Sequence, residues 1–278
     1  MSQRTTTQER ERRVARIEVV EHQSQTEPVP QPAPDPEAQP YLSIVIPMYN
    51  EAKRLSDSLP RLIEYFERQP YTHEYVVVDD GSTDGTVALA RELFGEGRRV
   101  RIIESRPNRG KGHAVKVGML AARGKVQLFS DADLSTPPLE IERFLPYLDA
   151  GYKVVIGSRK MRGAHITRHQ PLWRESLGKV FTWLTNQIAT KNISDITCGF
   201  KCFTYEASQD LFSRSVIDDW SFDAEVLFIA QQRGYDIKEV PVTWYDKPGT
   251  KVRLWKDALR SIQGLMRIRM NAMRGMYK

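Results

Sequence analysis

Between residues 41 and 160, short β-branched runs alternate with stretches of helical period, and this alternation limits the fold more than any other feature. "YLSIVIP", "EYVVVDD", "VRIIES", "KVQLFSDAD" and "YKVVIGSR" are the apolar runs. Between them lie "RLSDSLPRLIEYFERQ", "DGTVALARELF", "GKGHAVKVGMLAARG" and "PPLEIERFLPYL", each of which reads as a helix. Strands separated by helices of this length form βαβ units, and nearly continuous apolar strands are those buried on both faces of a parallel sheet. The expected class is therefore α/β, a mainly parallel sheet with flanking helices. In such sheets ligands collect beyond the carboxyl ends of the strands. Polar clusters fall there: "PMYNE" after the first run, "DDGSTD" after the second, "DAD" after the fourth and "GSR" after the fifth.

After residue 160 the alternation weakens. "LWRESLGKVFTWLTNQIAT" and "SFDAEVLFIAQQRG" read as helices, "CGFKCF" as a short strand and "YDIKEVPVTW" as a late strand. Residues 1–40 differ in kind. The stretch "PVPQPAPDPEAQP" carries six of the chain's 16 prolines, and such composition buries too little surface to offset chain entropy. The division expected is a disordered tail and linker over 1–40, a catalytic domain over 41–250 and a basic C-terminal helix over 251–278. That last helix places Trp255, Ala258, Leu259, Ile262, Leu265, Met266, Met270 and Met273 at helical spacing, with Arg253, Lys256, Arg260, Arg267 and Arg274 largely elsewhere. An amphipathic basic helix suits a membrane interface, and equally suits packing on its own domain or on a second copy in a homodimer.

With 41 Lys and Arg against 35 Asp and Glu, the net charge is +6, which favours acidic partners such as phosphates or anionic lipid. No nucleic-acid reader motif is present, so nucleic acid is not an expected partner. Two cysteines, Cys198 and Cys202, make neither a disulfide framework nor a zinc site, and fit a reducing compartment. The opening "MSQRTTTQERERR" lacks a signal-peptide core, and no apolar run reaches 18 residues, so no membrane span is expected.

Asp131 and Asp133 in "FSDADLSTPP" sit one residue apart at a strand end. Such a pair supplies hard oxygen ligands for Mg²⁺ or Mn²⁺, leaving positions open for a diphosphate, and the cation relieves the repulsion between the carboxylates. The plainer reading is a solvated Asx turn. In "DDGSTDGT", Asp80 suits a base NH or ribose hydroxyl, while Ser82 or Asp84 suits a helix cap. "NRGKGHAVKVG" lacks the spacing of an ATP-hydrolysing phosphate loop, yet Gly110 and Gly112 allow close backbone approach and Lys111 suits a phosphate. His113 receives no role.

Taken together, "SIVIPMYNE", "VVVDDGSTDGT", "NRGKGHAVKVGM", "DADLSTPP" and "VVIGSR" resemble the family 2 glycosyltransferases over roughly residues 42–255. Within that family, "DITCGFKCF", "WSFDAEVL" and "PGTKVRLWKDALR" look most like the dolichyl-phosphate or polyprenyl-phosphate β-glucosyltransferases. The resemblance implies a single A-type domain with a Rossmann-like nucleotide-binding half. It implies that Pro47, Tyr49, Glu51, Asp79 and Asp80 hold the nucleoside, that Lys111 and Lys251 meet the donor diphosphate, and that Asp131 and Asp133 hold the metal. Relatives that transfer mannose often carry glutamine where this chain has Ser135, a weaker ligand.

The implied reaction is inverting transfer of a hexose, glucose from UDP-glucose, to a polyprenyl or dolichyl phosphate. A phosphate monoester has its second pKa at about 6 and needs no general base near neutrality. It needs cationic guidance, for which Arg159, Arg174 and Lys201 are the candidates, so the catalytic set is Asp131, Asp133, Arg159 and Arg174. A hydroxyl acceptor would instead require a base, and Asp223 and Glu225 are placed for that. GDP-mannose as donor, a soluble acceptor and a non-catalytic nucleotide-sugar sensor are the rival readings. A sugar nucleotidyltransferase is disfavoured, because "PMYNEAKR" replaces the glycine-rich loop that such enzymes place after their first strand. The expected location is the cytoplasm, peripheral on the cytoplasmic face of a membrane.

Overall fold

The computed structural model describes residues 39–167, 172–246 and 254–278, with the side chains of 172–177 and 254–261 outside the described set. The tail over residues 1–38, Lys251, and the side chains of Arg174, Trp255, Ala258 and Leu259 therefore lie outside the described residues.

The first half follows the expected alternation: β1 (Leu42–Met48), α1 (Ala52–Glu67), β2 (His73–Asp79), α2 (Thr86–Phe94), β3 (Val100–Glu104), α3 (Lys111–Ala121) and β4 (Val126–Ser130). Every residue of β1, β4 and β5 (Val154–Ser158) is buried, as a strand covered on both faces requires. Alternate side chains feed two cores. Val45, Val78 and Phe129 join one, while Ile44, Ile46, Val77 and Leu128 join the other. α1 runs through Pro60, although an internal proline costs a helix about 3 kcal/mol. Burial of Leu55, Leu59, Leu62, Ile63 and Phe66 on one face of the same helix offsets that loss.

"PPLEIERFLPYL" departs from expectation. It forms a 3-10 helix over Pro138–Arg143 and then a separate short α4 (Leu145–Asp149). Pro146 has no N–H to bond the carbonyl four residues back and suits the first turn of a helix, so a new helix starts there. "YDIKEVPVTW" also divides. Before it come β6 (His165–Ile166), α5 (Leu172–Ile188), β7 (Phe200–Thr204), α6 (Tyr205–Arg214) and α7 (Phe222–Gln232). The segment itself becomes β8 (Ile237–Pro241) in the main sheet and β9 (Thr243–Trp244), paired with β6 in a two-stranded ribbon. α6 was not expected; Thr204 caps it by accepting from the Ala207 N–H.

The main sheet has the order β3-β2-β1-β4-β7-β5-β8. β7 alone runs antiparallel, between β4 and β5, and the remaining pairings are parallel. The carboxyl ends of β1, β2, β4 and β5 therefore share one edge. The amino end of β7, carrying Gly199 and Phe200, meets them there, with Ser130 in register with Phe200.

α8 (Leu254–Met273) closes the chain and packs on α5 and α7. Its described part has two apolar faces rather than one. Leu265 and Ile268 are buried, whereas Ile262, Met266, Met270 and Met273 are exposed. Among the described residues no helix is long and apolar enough to cross a membrane.

Candidate active site

The loops after β1 and β2 are tied to each other. Asn50, in the left-handed region at φ 50°, donates its N–H to Ser82 Oγ (2.9 Å) and accepts from the Thr83 N–H (2.8 Å). The Glu51 N–H donates to Thr86 Oγ1 at 2.9 Å. Asp79 is fully buried, and its two carboxylate oxygens accept from the N–H and hydroxyl of Ser82. It shapes the turn from beneath and presents nothing to a ligand, which corrects its expected place among the nucleoside contacts. Pro47 is likewise buried inside β1, opposite Val78, while Tyr49 is exposed at the mouth of the loop.

Asp80 is occupied from within the chain. Its carboxylate accepts from Asn108 Nδ2 (2.8 Å), the Arg109 N–H (3.0 Å) and the Gly110 N–H (2.7 Å). A carboxylate offers about four acceptor positions; three are filled here and Asp80 is 2% exposed, so at most one is left for a base or ribose. The glycines of "NRGKGHA" do allow close approach, but to the chain itself. A Cβ on Gly110 would lie 2.5 Å from the Asp218 carbonyl oxygen, and one on Gly112 would lie 2.6 Å from that of Ile217.

At the end of β4 the Asp-x-Asp pair sits beside a lysine. Lys111 Nζ lies 2.6 Å from Asp131 Oδ1 and over two aromatic rings, 5.3 Å from the centre of Phe129 and 5.1 Å from that of Trp220. Burial alone would lower the Lys111 pKa, but Asp131, Asp223 and Asp133 together raise it, so the ammonium stays charged. Asp131 also donates its N–H to the Gly199 carbonyl at 3.1 Å. Asp133 accepts from the Ser135 N–H at 2.9 Å, with Leu134 in the left-handed region between them. The Asx turn and the carboxylate pair are thus both present. The Ser135 carbonyl accepts from the Tyr245 N–H at 2.8 Å, which ties this loop to the strand ribbon.

Beneath the pair lies a second ion pair. Lys201 is 2% exposed and donates to Asp223 Oδ1 (2.5 Å) and to the Cys198 carbonyl (2.6 Å). Lys201 is therefore sealed under the site, not open to an acceptor phosphate as expected, because β7 runs through the middle of the sheet. Asp223 is buried with it. Burial pushes its carboxyl pKa up, opposed by Lys201 and Lys111. Glu225 belongs elsewhere. It is fully buried and accepts from the Val216 and Ile217 N–H groups and from the Tyr277 hydroxyl at 2.7 Å. It anchors a loop and the chain's end, and has no access to a substrate proton.

Arg159 follows β5 as expected, but it is held by a partner with no sequence signal. Asp195, fully buried, accepts from Arg159 Nε (2.6 Å), Nη2 (2.8 Å) and the backbone N–H (3.0 Å). Nη2 also reaches Thr197 Oγ1 at 3.0 Å, and the guanidinium lies 5.5 Å from the centre of the Trp244 ring. Burial disfavours the Arg159 charge, yet Asp195 more than compensates and raises the pKa further. The Nη1 donors have no hydrogen-bond partner among the described residues, and the side chain is 23% exposed.

Asp131 and Asp133 are hard oxygen donors, and the fold already stabilises a positive charge against Asp131, so the pair fits a divalent cation. Among the described residues no third His, Cys, Asp or Glu converges to close a cage. That leaves coordination positions for phosphate oxygens.

A mainly parallel sheet that gathers an Asp-x-Asp pair, a lysine and a presented arginine along one edge defines a glycosyltransferase of the A-type fold. The chain belongs to glycosyl transferase family 2, whose sequence model matches residues 43–212. It is 35% identical over 242 residues to a dolichyl-phosphate beta-glucosyltransferase of Trichomonas vaginalis, covering 83% of this chain and 72% of that one. It is 33% identical over 251 residues to the Homo sapiens dolichyl-phosphate beta-glucosyltransferase, covering 85% and 77%. In fold it matches glucosyl-3-phosphoglycerate synthase of Mycobacterium tuberculosis, crystallised with Mn²⁺, UDP and glucosyl-3-phosphoglycerate. That match has a TM-score of 0.62 at 20% identity, over 84% of this chain and 81% of that one.

Proposed function

We propose that the chain transfers a glucosyl group from UDP-glucose to dolichyl phosphate or a related polyprenyl phosphate, with inversion at the anomeric carbon. The observation that carries this reading is the charge arrangement at the sheet edge. The Asp131–Asp133 pair lies beside Lys111, and Arg159 Nη1, unpartnered among the described residues, is available to a second anion. The similarity to dolichyl-phosphate beta-glucosyltransferases over more than four-fifths of the chain supports the choice of sugar and acceptor.

In this reading a phosphate oxygen of the acceptor forms a bond to the anomeric carbon as the bond to the UDP β-phosphate breaks, and the electron pair leaves with UDP. Asp131 and Asp133 would hold Mg²⁺ or Mn²⁺, which neutralises charge on the departing diphosphate when bound. Lys111 adds a fixed positive charge at the same place. Arg159, oriented by Asp195, receives the acceptor phosphate and holds it in line, a positioning contribution worth several kcal/mol of barrier (about 7 or more in well-oriented systems). No side chain need take a proton, since the acceptor arrives ionised. The state of Asp223, 4% exposed and bonded to Lys201, agrees with that: this carboxylate is committed within the core.

The acceptor is a lipid, so the enzyme works at a membrane surface. We place it peripherally on the cytoplasmic face, with the exposed Ile262, Met266, Met270 and Met273 of α8 as the apolar contact.

The test is transfer of radiolabelled glucose from UDP-glucose to a short-chain polyprenyl phosphate, with GDP-mannose in parallel and with and without chelator. Product from UDP-glucose alone, lost on chelation and in Asp133→Ala, is the expected result. Product from GDP-mannose, or full activity in Asp133→Ala, would overturn the assignment of donor or of metal site respectively.

A further inference from the structure

Trp220 is a large apolar ring that the fold leaves half exposed (50%) while fixing the loop that carries it. Residues 215–221, between α6 and α7, are held from every side. Lys116 Nζ donates to the Ser215 carbonyl at 2.5 Å, and Glu225 accepts from the N–H groups of 216 and 217. The His113 N–H donates to the Asp218 carbonyl at 3.2 Å, and Arg109 pairs with the Asp218 carboxylate at 2.8 Å. From α8, Arg267 pairs with Asp219. On the same helix, Gly264 packs so closely that a Cβ there would lie 2.0 Å from Ser221 Oγ. Three glycines, Gly110, Gly112 and Gly264, thus give up side chains to bring this loop into place.

A loop fixed so thoroughly, yet ending in an exposed indole, presents that ring to something. The ring's charged neighbour is Lys111, the same ammonium that lies 2.6 Å from Asp131. Indole and Asp-x-Asp carboxylate therefore flank one cation. A ligand whose diphosphate lies on that cation places its sugar within reach of the ring. Pyranose rings offer faces of C–H bonds, and an aromatic surface receives such a face without competing for the hydroxyls.

We propose that Trp220 is the platform on which the hexosyl ring of the donor lies. This deepens the nucleotide-sugar reading above and rests on it. α8 acts on the platform at a distance, through Gly264 and Arg267, as a positioning element.

The experiment measures equilibrium binding of UDP and of UDP-glucose, each with Mn²⁺, to wild type, Trp220→Ala and Trp220→Phe by calorimetry, followed by transfer kinetics. Melting temperatures confirm folding, and the Phe variant keeps a smaller ring should the Ala variant fold poorly. The expected result is UDP affinity within twofold of wild type in both variants. UDP-glucose affinity should fall about tenfold in Trp220→Ala and less in Trp220→Phe, with KM for UDP-glucose rising in step. Equal loss of UDP and UDP-glucose would overturn the proposal, since the ring would then serve the nucleotide. Unchanged donor binding with a raised KM for the lipid phosphate would overturn it in favour of an acceptor contact, and no change in any parameter would leave the ring without a role. Failure of wild type itself to bind UDP-glucose would instead sink the donor reading, and the inference with it.

Discussion

Gly199 lies so close to Asp131 that a Cβ on the glycine would meet Oδ2 at 1.9 Å. The same two residues are joined by the Asp131 N–H and the Gly199 carbonyl. The antiparallel β7 therefore acts as a template for the first carboxylate of the Asp-x-Asp pair. In Gly199→Ala the carboxylate must swing aside, because its end is the flexible partner in the clash. A displacement near 1 Å at a reacting centre costs about 100-fold in rate, so kcat/KM should fall by about that factor. Thermal unfolding should shift by only a few degrees. Activity within threefold of wild type would show that Asp131 need not stand where it does.

Lys111 neutralises Asp131 before any metal does. Lys111→Met removes a competing charge, and near a protein surface a unit charge at this range is worth several kcal/mol at most, about 4 in an effective dielectric of 20. Mn²⁺ affinity, read by electron paramagnetic resonance, should therefore tighten about tenfold or more, while transfer falls because the diphosphate loses a fixed charge. Unaltered Mn²⁺ affinity would mean that the ion pair and the metal do not share the site.

Tyr277 donates its hydroxyl to the buried Glu225 at 2.7 Å, across 52 residues of sequence. Burial holds the Glu225 carboxyl pKa above its usual range, and the bonds it accepts only partly reverse that. Removing one donor in Tyr277→Phe should cost about 1–3 kcal/mol of stability. Urea unfolding measures the loss directly, and transfer at 25 °C should stay near wild type.

The Arg159–Asp195 pair predicts an acid limb. Burial works against ionising Asp195, but the charge and hydrogen bonds of Arg159 outweigh it and hold the pKa well below the ordinary value. A carboxylate whose folded pKa is depressed contributes stability that is complete above its unfolded pKa, about 3.9. That contribution is lost as pH falls from there through the folded value. Unfolding free energies of wild type should therefore decline below about pH 4, and Asp195→Asn should show a shallower decline from a lower plateau. An identical acid slope in the variant would remove Asp195 from the account.

The chain's local patterns determined the frame. The period of apolar residues is a property of neighbours in sequence, so the strands and helices from 41 to 130 and the strand at 154–158 were legible, and with them the four polar clusters at one sheet edge. Asp131, Asp133, Lys111 and Arg159 all stand at that edge. What the residues could not declare is which charges have partners. Lys201 and Lys111 look alike in sequence, yet one is sealed against Asp223 and the other faces the open carboxylates. Asp79 and Asp80 are adjacent, and their fates diverge because Ser82 folds under one and the 108–110 loop wraps the other. Glu225 depends on Tyr277, Arg159 on Asp195, and Trp220 on a loop gripped by α3 and α8. Apart from Asp79 and Ser82, three residues apart, these pairings join segments distant in the chain, and only packing, which decides who is buried beside whom, could settle them.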